Sequence, residues 1–169
     1  MTDPDVWHER LLDGTHVVTR PVRPSDAAPV AELFSHMDDR SRRRRFFITD
    51  HVVGDAEAAA MVDVDQADRQ AYVVEAEAGG EVLGIAQLAR EGSSRRAEIA
   101  LAVADAWQGR GIGTLLLERL AQHARSHDVS ILDADVLAEN TPMIEVLEHS
   151  THATPARLGA GVVRVSAQV

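Results

Sequence analysis

The sequence predicts an α+β domain: a mixed, mostly antiparallel sheet of about six or seven strands, flanked by helices. Three observations carry that expectation. Strand-like stretches at residues 71–76, 81–89 and from 97 to about 103 follow one another with only turns between them, so they pair antiparallel and do not form βαβ units. A glycine-rich loop, QGRGIGT at residues 108–114, then opens a helix. The strand expected after that helix, at 131–137, is parallel to its predecessor if the helix is a crossover.

At 169 residues the chain is expected to form one domain, at 15–169, behind an N-terminal arm at 1–14. Apolar residues make up 45% and charged residues 26%, enough for a core without disulfide or metal support. There is no cysteine, which excludes a disulfide framework and a thiolate nucleophile. All 17 basic residues are arginine, which excludes a Walker A lysine and a Schiff-base lysine. A net charge of −10 argues against a nucleic-acid partner. Neither a signal-peptide core nor a membrane-length apolar run is present, so a cytoplasmic protein with no membrane partner is expected.

In chain order, the alternating, β-branched HVVTRPV at 16–22 reads as the first strand. Ser25 is placed to cap the next helix, with Pro29 in its first turn, and Val30, Leu33, Phe34 and Met37 form a buried stripe at helical spacing. Arg42, Arg43, Arg44 and Arg45 form a charge run before Phe46 and Phe47. The run reads either as a short helix with a solvated arginine face anchored by the two phenylalanines, or as a basic patch facing an acidic substrate or the nucleotide end of a cofactor. A helix is expected over 55–62. The aspartates at 63, 65 and 68 then form a polar turn, without the glycine and closing glutamate of a calcium loop. Gly79 and Gly80 make a hairpin turn, and Gly84 marks a bulge or a close approach.

Within the strand from 97, Ala97, Ile99, Leu101 and Val103 share a core face. Glu98, Ala100 and Ala102 share the other, leaving a shallow channel with a carboxylate at one end. In the loop that follows, backbone N–H groups crowd together at the positive end of a helix dipole, which makes a phosphate cradle. It departs from a dinucleotide fingerprint: Thr114 stands at the third glycine position and the βαβ repeat is missing, although Asp133 lies at about the right distance for a ribose contact. The helix runs to about Ser126 with Ile112, Leu116, Leu120 and Ala124 on one face; His123 and His127 near its end are expected to interact with the helix dipole and not with a metal. Asp133 and Asp135 share one face of the next strand, and 153–158 with 161–167 form a closing hairpin.

Together these segments resemble the GNAT superfamily of acyl-CoA-dependent N-acyltransferases. That family's acetyl-CoA signature (Gln or Arg, two variable residues, Gly, one variable residue, then Gly or Ala) is met by Gln108, Gly111 and Gly113. VRPSDAAPVAELFSHM at 22–37, RFF at 45–47 and VLAENTPM at 136–143 are similar to the bacterial protein-lysine acetyltransferase branch.

The resemblance implies a GNAT fold whose parallel strands splay apart to admit the cofactor arm. It implies that the backbone of Leu101, Ala102 and Val103 holds pantetheine, and that Gln108, Gly109, Arg110, Gly111, Ile112, Gly113 and Thr114 take the pyrophosphate of coenzyme A. Asn140 matches a cofactor-contacting asparagine, and Glu98 matches a general base that usually acts through water. Acetyl-CoA is the implied acyl donor, with no metal. The implied acceptor is a primary amine, a protein lysine or a small molecule, and the protein is a monomer or homodimer. A non-catalytic acyl-CoA-binding module is the alternative class. Three departures stand out: Leu147 replaces the family's frequent tyrosine acid, Thr151 and His152 replace a Gly-Phe pair, and the arginine run replaces more apolar residues.

Overall fold

A computed structural model describes residues 5–169. Eight strands form one sheet: β1 (Trp7–Arg10), β2 (His16–Pro21), β3 (Arg69–Ala76), β4 (Val82–Arg90), β5 (Arg96–Val103), β6 (Ile131–Leu137), β7 (His152–Gly159) and β8 (Val162–Gln168), in the order β1-β2-β3-β4-β5-β6-β8-β7. Every neighbouring pair is antiparallel except β5 and β6, the crossover pair. Helices α1 (Ala27–Ser35), α2 (Asp39–Phe46) and α3 (Asp55–Val62) cover one face, and α4 (Ile112–Ser126) and α5 (Thr141–Ser150) the other. The sheet therefore separates two cores. Leu116, Leu120 and Leu147 belong to one, and Val30, Phe34 and Met61 to the other.

The α+β architecture is as expected, with more strands and one reassigned segment. Residues 7–10 of the expected arm form an edge strand, and residues 1–4 lie outside the described residues. Side-chain contacts hold this edge strand on the sheet. Trp7 packs edge-on against Tyr72 at 6.0 Å and lies under the Arg119 guanidinium at 4.2 Å, while Glu9 accepts hydrogen bonds from Thr19 and Arg119.

Three local expectations change. A 3-10 turn, Pro24–Asp26, precedes α1, so that Asp26 and not Ser25 stands at its N-cap; it makes no side-chain capping bond to α1, and its carboxylate accepts instead from the Arg23 amide at 2.6 Å. Asp26 also receives both Arg20 nitrogens, at 2.8 and 2.9 Å. Burial alone would raise the Asp26 carboxyl, but these hydrogen bonds hold it below the usual carboxylate range. Second, Phe46 alone anchors α2, 5.3 Å from Phe34; Phe47 is exposed and ends the helix at φ 65°. Third, His123 is buried and bonds through Nε2 to the Ala67 carbonyl at 2.9 Å. Burial pushes its pKa down, so it stays neutral near pH 7 and adds no cation to the helix end.

Gly84 is a point of close approach. A Cβ there would lie 3.0 Å from Ile112 Cγ2 and 3.1 Å from the Ala102 carbonyl oxygen, so α4 rests directly on β4. The ladder irregularity falls beside it, between Val74 and Glu75, which pair with Gly84 and Val82.

Candidate active site

The parallel pair positions the site. β5 and β6 pair only at Arg96 with Ile131, Ala97 with Leu132 and Glu98 with Asp133. Beyond Glu98 both strands continue without pairing to each other, which opens a wedge in the middle of the sheet. Ladder alternation decides which β5 groups face it. The Ala104 amide donates to Leu83 on the β4 side, so Val103 and Leu101 present their N–H and C=O groups to the wedge. Gln108 Nε2 donates to the Val103 carbonyl at 3.2 Å from that side.

The wedge continues as a cavity of about 540 Å³. Of the residues predicted from sequence, Leu101, Ala102, Val103, Gln108, Gly109, Gly111, Ile112, Gly113, Thr114 and Asn140 all line it. Gly109 (φ 72°) and Gly111 (φ 99°) adopt left-handed conformations that glycine takes without strain. No side chain caps Gly111, the residue before α4, and the first intrahelical bond is made by Leu115 to the Gly111 carbonyl. The amides of the first turn are therefore free to bind an anion at the positive end of a 15-residue helix. This fits the pyrophosphate of coenzyme A, and the apolar wedge walls fit its pantetheine arm. Asn140 precedes α5 with its side chain making no capping bond, at the cavity wall.

Two predicted residues lie outside the cavity lining. Arg110 turns away: it pairs with Asp13 at 2.9 Å and stacks over Trp107 at 4.7 Å. Glu98 sits on the last paired rung, where the strands part, with its side chain 77% exposed. The expected small-residue face is realised unevenly, because Ala102 packs into the α1–α3 core, Ala100 is half-buried and Glu98 is open to solvent. The carboxylate is thus not enclosed in a partly apolar channel. Arg164 Nη2 lies 3.8 Å from it.

Around Glu98 the sheet carries a charge lattice. Arg164 is held by Asp135 through two hydrogen bonds of 2.7 and 2.9 Å. Asp133 receives Arg96 (2.8 and 2.6 Å) and the Ser166 hydroxyl (2.6 Å). Burial would raise the Asp133 carboxyl, but these bonds and the Arg96 and Arg164 charges hold it below its ordinary value.

The structure also brings residues of α2 and α5 to the cavity, among them two of the four arginines that the sequence left between a solvated face and a basic patch. From α2 and the turn before it come Met37, Ser41, Arg44 and Arg45, and Ser41 accepts a hydrogen bond from Gln108 at 3.1 Å. From α5 come Met143, Val146 and His149. The spacing of Ser41, Arg44 and Arg45 (i, i+3, i+4) was the available signal for a shared helix face. Leu147, at the tyrosine position, is fully buried beneath α5 and faces the core. No helix among the described residues is long and apolar enough to cross a membrane.

A splayed parallel pair with an uncapped helix N-terminus at its mouth is an arrangement that suits an acyl-CoA-type ligand. The sequence matches the acetyltransferase (GNAT) family over residues 31–151, and the chain belongs to that family. It is 36% identical over 105 residues to the acetyltransferase Pat of Mycolicibacterium smegmatis, covering 62% of this chain and 29% of that protein. It is 29% identical over 123 residues to an acetyltransferase of Pseudomonas aeruginosa, covering 72% of this chain and 66% of that one. The chain thus spans less than two thirds of either curated relative. Among solved structures, the GNAT domain of S. lividans PAT superposes with a TM-score of 0.88 at 28% identity, covering 97% of both chains.

Proposed function

We propose that this protein is an acetyl-CoA-dependent N-acetyltransferase that acts on a primary amine, with a protein lysine as the favoured acceptor. The observation that carries the reading is the wedge between β5 and β6 together with the free amides at the start of α4. The resemblance of residues 22–37, 45–47 and 136–143 to the protein-lysine acetyltransferase branch supports the lysine acceptor.

In this reading the first-turn amides of α4 hold the pyrophosphate, and the Leu101 and Val103 backbone groups align the pantetheine amides like an added strand. Acetyl-CoA supplies the activated acyl group. A backbone N–H of β5 at the splay stabilises the oxyanion that forms as the amine nitrogen bonds to the thioester carbon. Collapse of that intermediate breaks the C–S bond and releases coenzyme A as its thiolate. Glu98 accepts the proton lost by the amine. Its exposure favours relay through water over direct contact, and its place on the last paired rung puts it where the acceptor meets the wedge. Leu147 provides no acid, so the thiolate leaves unassisted by that position and takes its proton from solvent.

Glu98→Gln is expected to lower kcat by about a hundredfold, the usual scale for a lost general base, and to leave the Kd for acetyl-CoA within about twofold. Thiol release and calorimetry measure the two quantities. Unchanged kcat would transfer the base role elsewhere, first to Asp135, which lines the cavity.

A further inference from the structure

The four consecutive arginines of α2, Arg42 to Arg45, divide into two pairs. Arg42 and Arg43 are neutralised, by Asp39 and by Glu139. Arg44 and Arg45 share the cavity face with Ser41, and neither has a carboxylate partner among the described residues. Arg45 donates to the neutral Gln87 side chain at 2.7 Å, and its cation lies 4.8 Å from the Phe46 ring. Arg44 makes no hydrogen bond or ion pair among the described residues, and its Nε is buried without a partner.

Arg20 and Arg119 also have an unpaired Nε but are held by carboxylates through their other nitrogens; the Arg44 guanidinium lines the cavity with no acceptor among the described residues, which is unfavourable for a half-buried cation unless a ligand supplies one. The phosphate cradle touches α2 through Gln108, which donates to Ser41 at 3.1 Å, but its anion-binding amides belong to the first turn of α4 and need no side-chain cation. Glu98, the proposed base, shares a face of β5 with Ala102, which packs on the α1–α3 side, so in the acetyltransferase reading the amine approaches from the α2 face. Of the carboxylates that line the cavity, Asp135 is already paired with Arg164, so it does not compete for Arg44.

We propose that the acceptor carries a carboxylate close to its amine, and that Arg44 on the cavity face of α2 binds that carboxylate. The inference rests on the acetyltransferase reading. Planar two-point recognition of a carboxylate by a guanidinium is the chemistry that fits. The carboxylate has two sources, a free amino acid or an acidic side chain beside a target lysine.

The test compares matched acceptors by thiol release from acetyl-CoA. One arm uses free amino acids against their amides; the other uses lysine peptides flanked by glutamate against the same peptides flanked by glutamine. In the wild-type protein the carboxylate form of at least one pair is expected to have a KM about tenfold lower, the scale of one charge-assisted hydrogen bond near solvent. The arm that shows the ratio names the source. Arg44→Gln is expected to collapse the ratio to about one, and Arg44→Lys to restore part of it, while circular dichroism checks folding. Transfer with no carboxylate preference in either arm overturns this proposal alone. A raised acetyl-CoA Kd in Arg44→Gln with the acceptor ratio intact also overturns it, because Arg44 would then serve the donor. Acetyl-CoA binding without transfer to any amine overturns the acetyltransferase reading, and this inference with it.

Discussion

Single residues decide how closely the layers approach, and Gly84 is the clearest case. Its missing side chain lets Ile112 and Leu116 of α4 lie on β4, with Ile112 the first residue of the helix whose N-terminus forms the cradle. Gly84→Ala is expected to cost about 1–3 kcal/mol by overpacking, read as a lower urea midpoint, and to weaken acetyl-CoA binding by displacing the start of α4. A variant with the wild-type midpoint would mean that Ile112 and Leu116 yield freely. The sequence marked Gly84 as unusual but could not say why, since the reason is a helix nearly thirty residues away in the chain. The glycines at 109, 111 and 113 were legible because their reason is local: backbone conformation and approach to an anion. Glu98 was legible by position and not by environment. Alternation put it on the correct face, but burial depends on neighbouring strands and helices, which leave it open.

Three elements were read closely: α3 and β6 match their expected limits, and α4, with its clear apolar stripe, begins one residue inside its own. Failures fall where tertiary contacts override local signal. β1 is four residues long with no apolar alternation, and it is a strand because β2 offers it a partner. α2 has little apolar content and was open to two readings. Its arginine face proves to be neither wholly solvated nor wholly a patch, with two side chains paired outward and two turned to the cavity. At the end of α4, His123 stacks on His127 at 4.0 Å and ties the helix to the Ala67 carbonyl in the turn before β3. Its folded pKa lies below the ordinary 6.5, so the unfolded chain binds the proton more readily. Stability is then full above about pH 6.5 and falls as pH drops through that value towards the folded pKa. Urea midpoints measured from pH 7.5 to 5.5 should show this decline, and His123→Gln should flatten it. A His123→Gln curve with the wild-type slope would assign the decline to other groups.

At the scale of the whole molecule, two groups of strands meet along one line. β1 to β5 form a continuous antiparallel block, β6, β8 and β7 form another, and three paired positions join them. The sequence predicted this seam through the parallel crossover, which is a matter of connectivity. It could not predict the extent of the seam, because the number of paired positions depends on how α2 and α4 hold the strands apart. Its consequence is an edge in the interior. Leu101 and Val103 belong to the fifth of eight strands, yet their amides face no neighbouring strand. Hydrogen–deuterium exchange should therefore find these two amides exchanging at rates typical of a sheet margin, while Val73 and Val74 on β3 stay protected. Saturating acetyl-CoA should slow both. Equal protection of Leu101, Val103 and Val73 in the free protein would mean that the wedge is closed in solution. The protein holds a sheet whose central seam is unpaired beyond Glu98, and in the proposed reading the pantetheine arm would complete it.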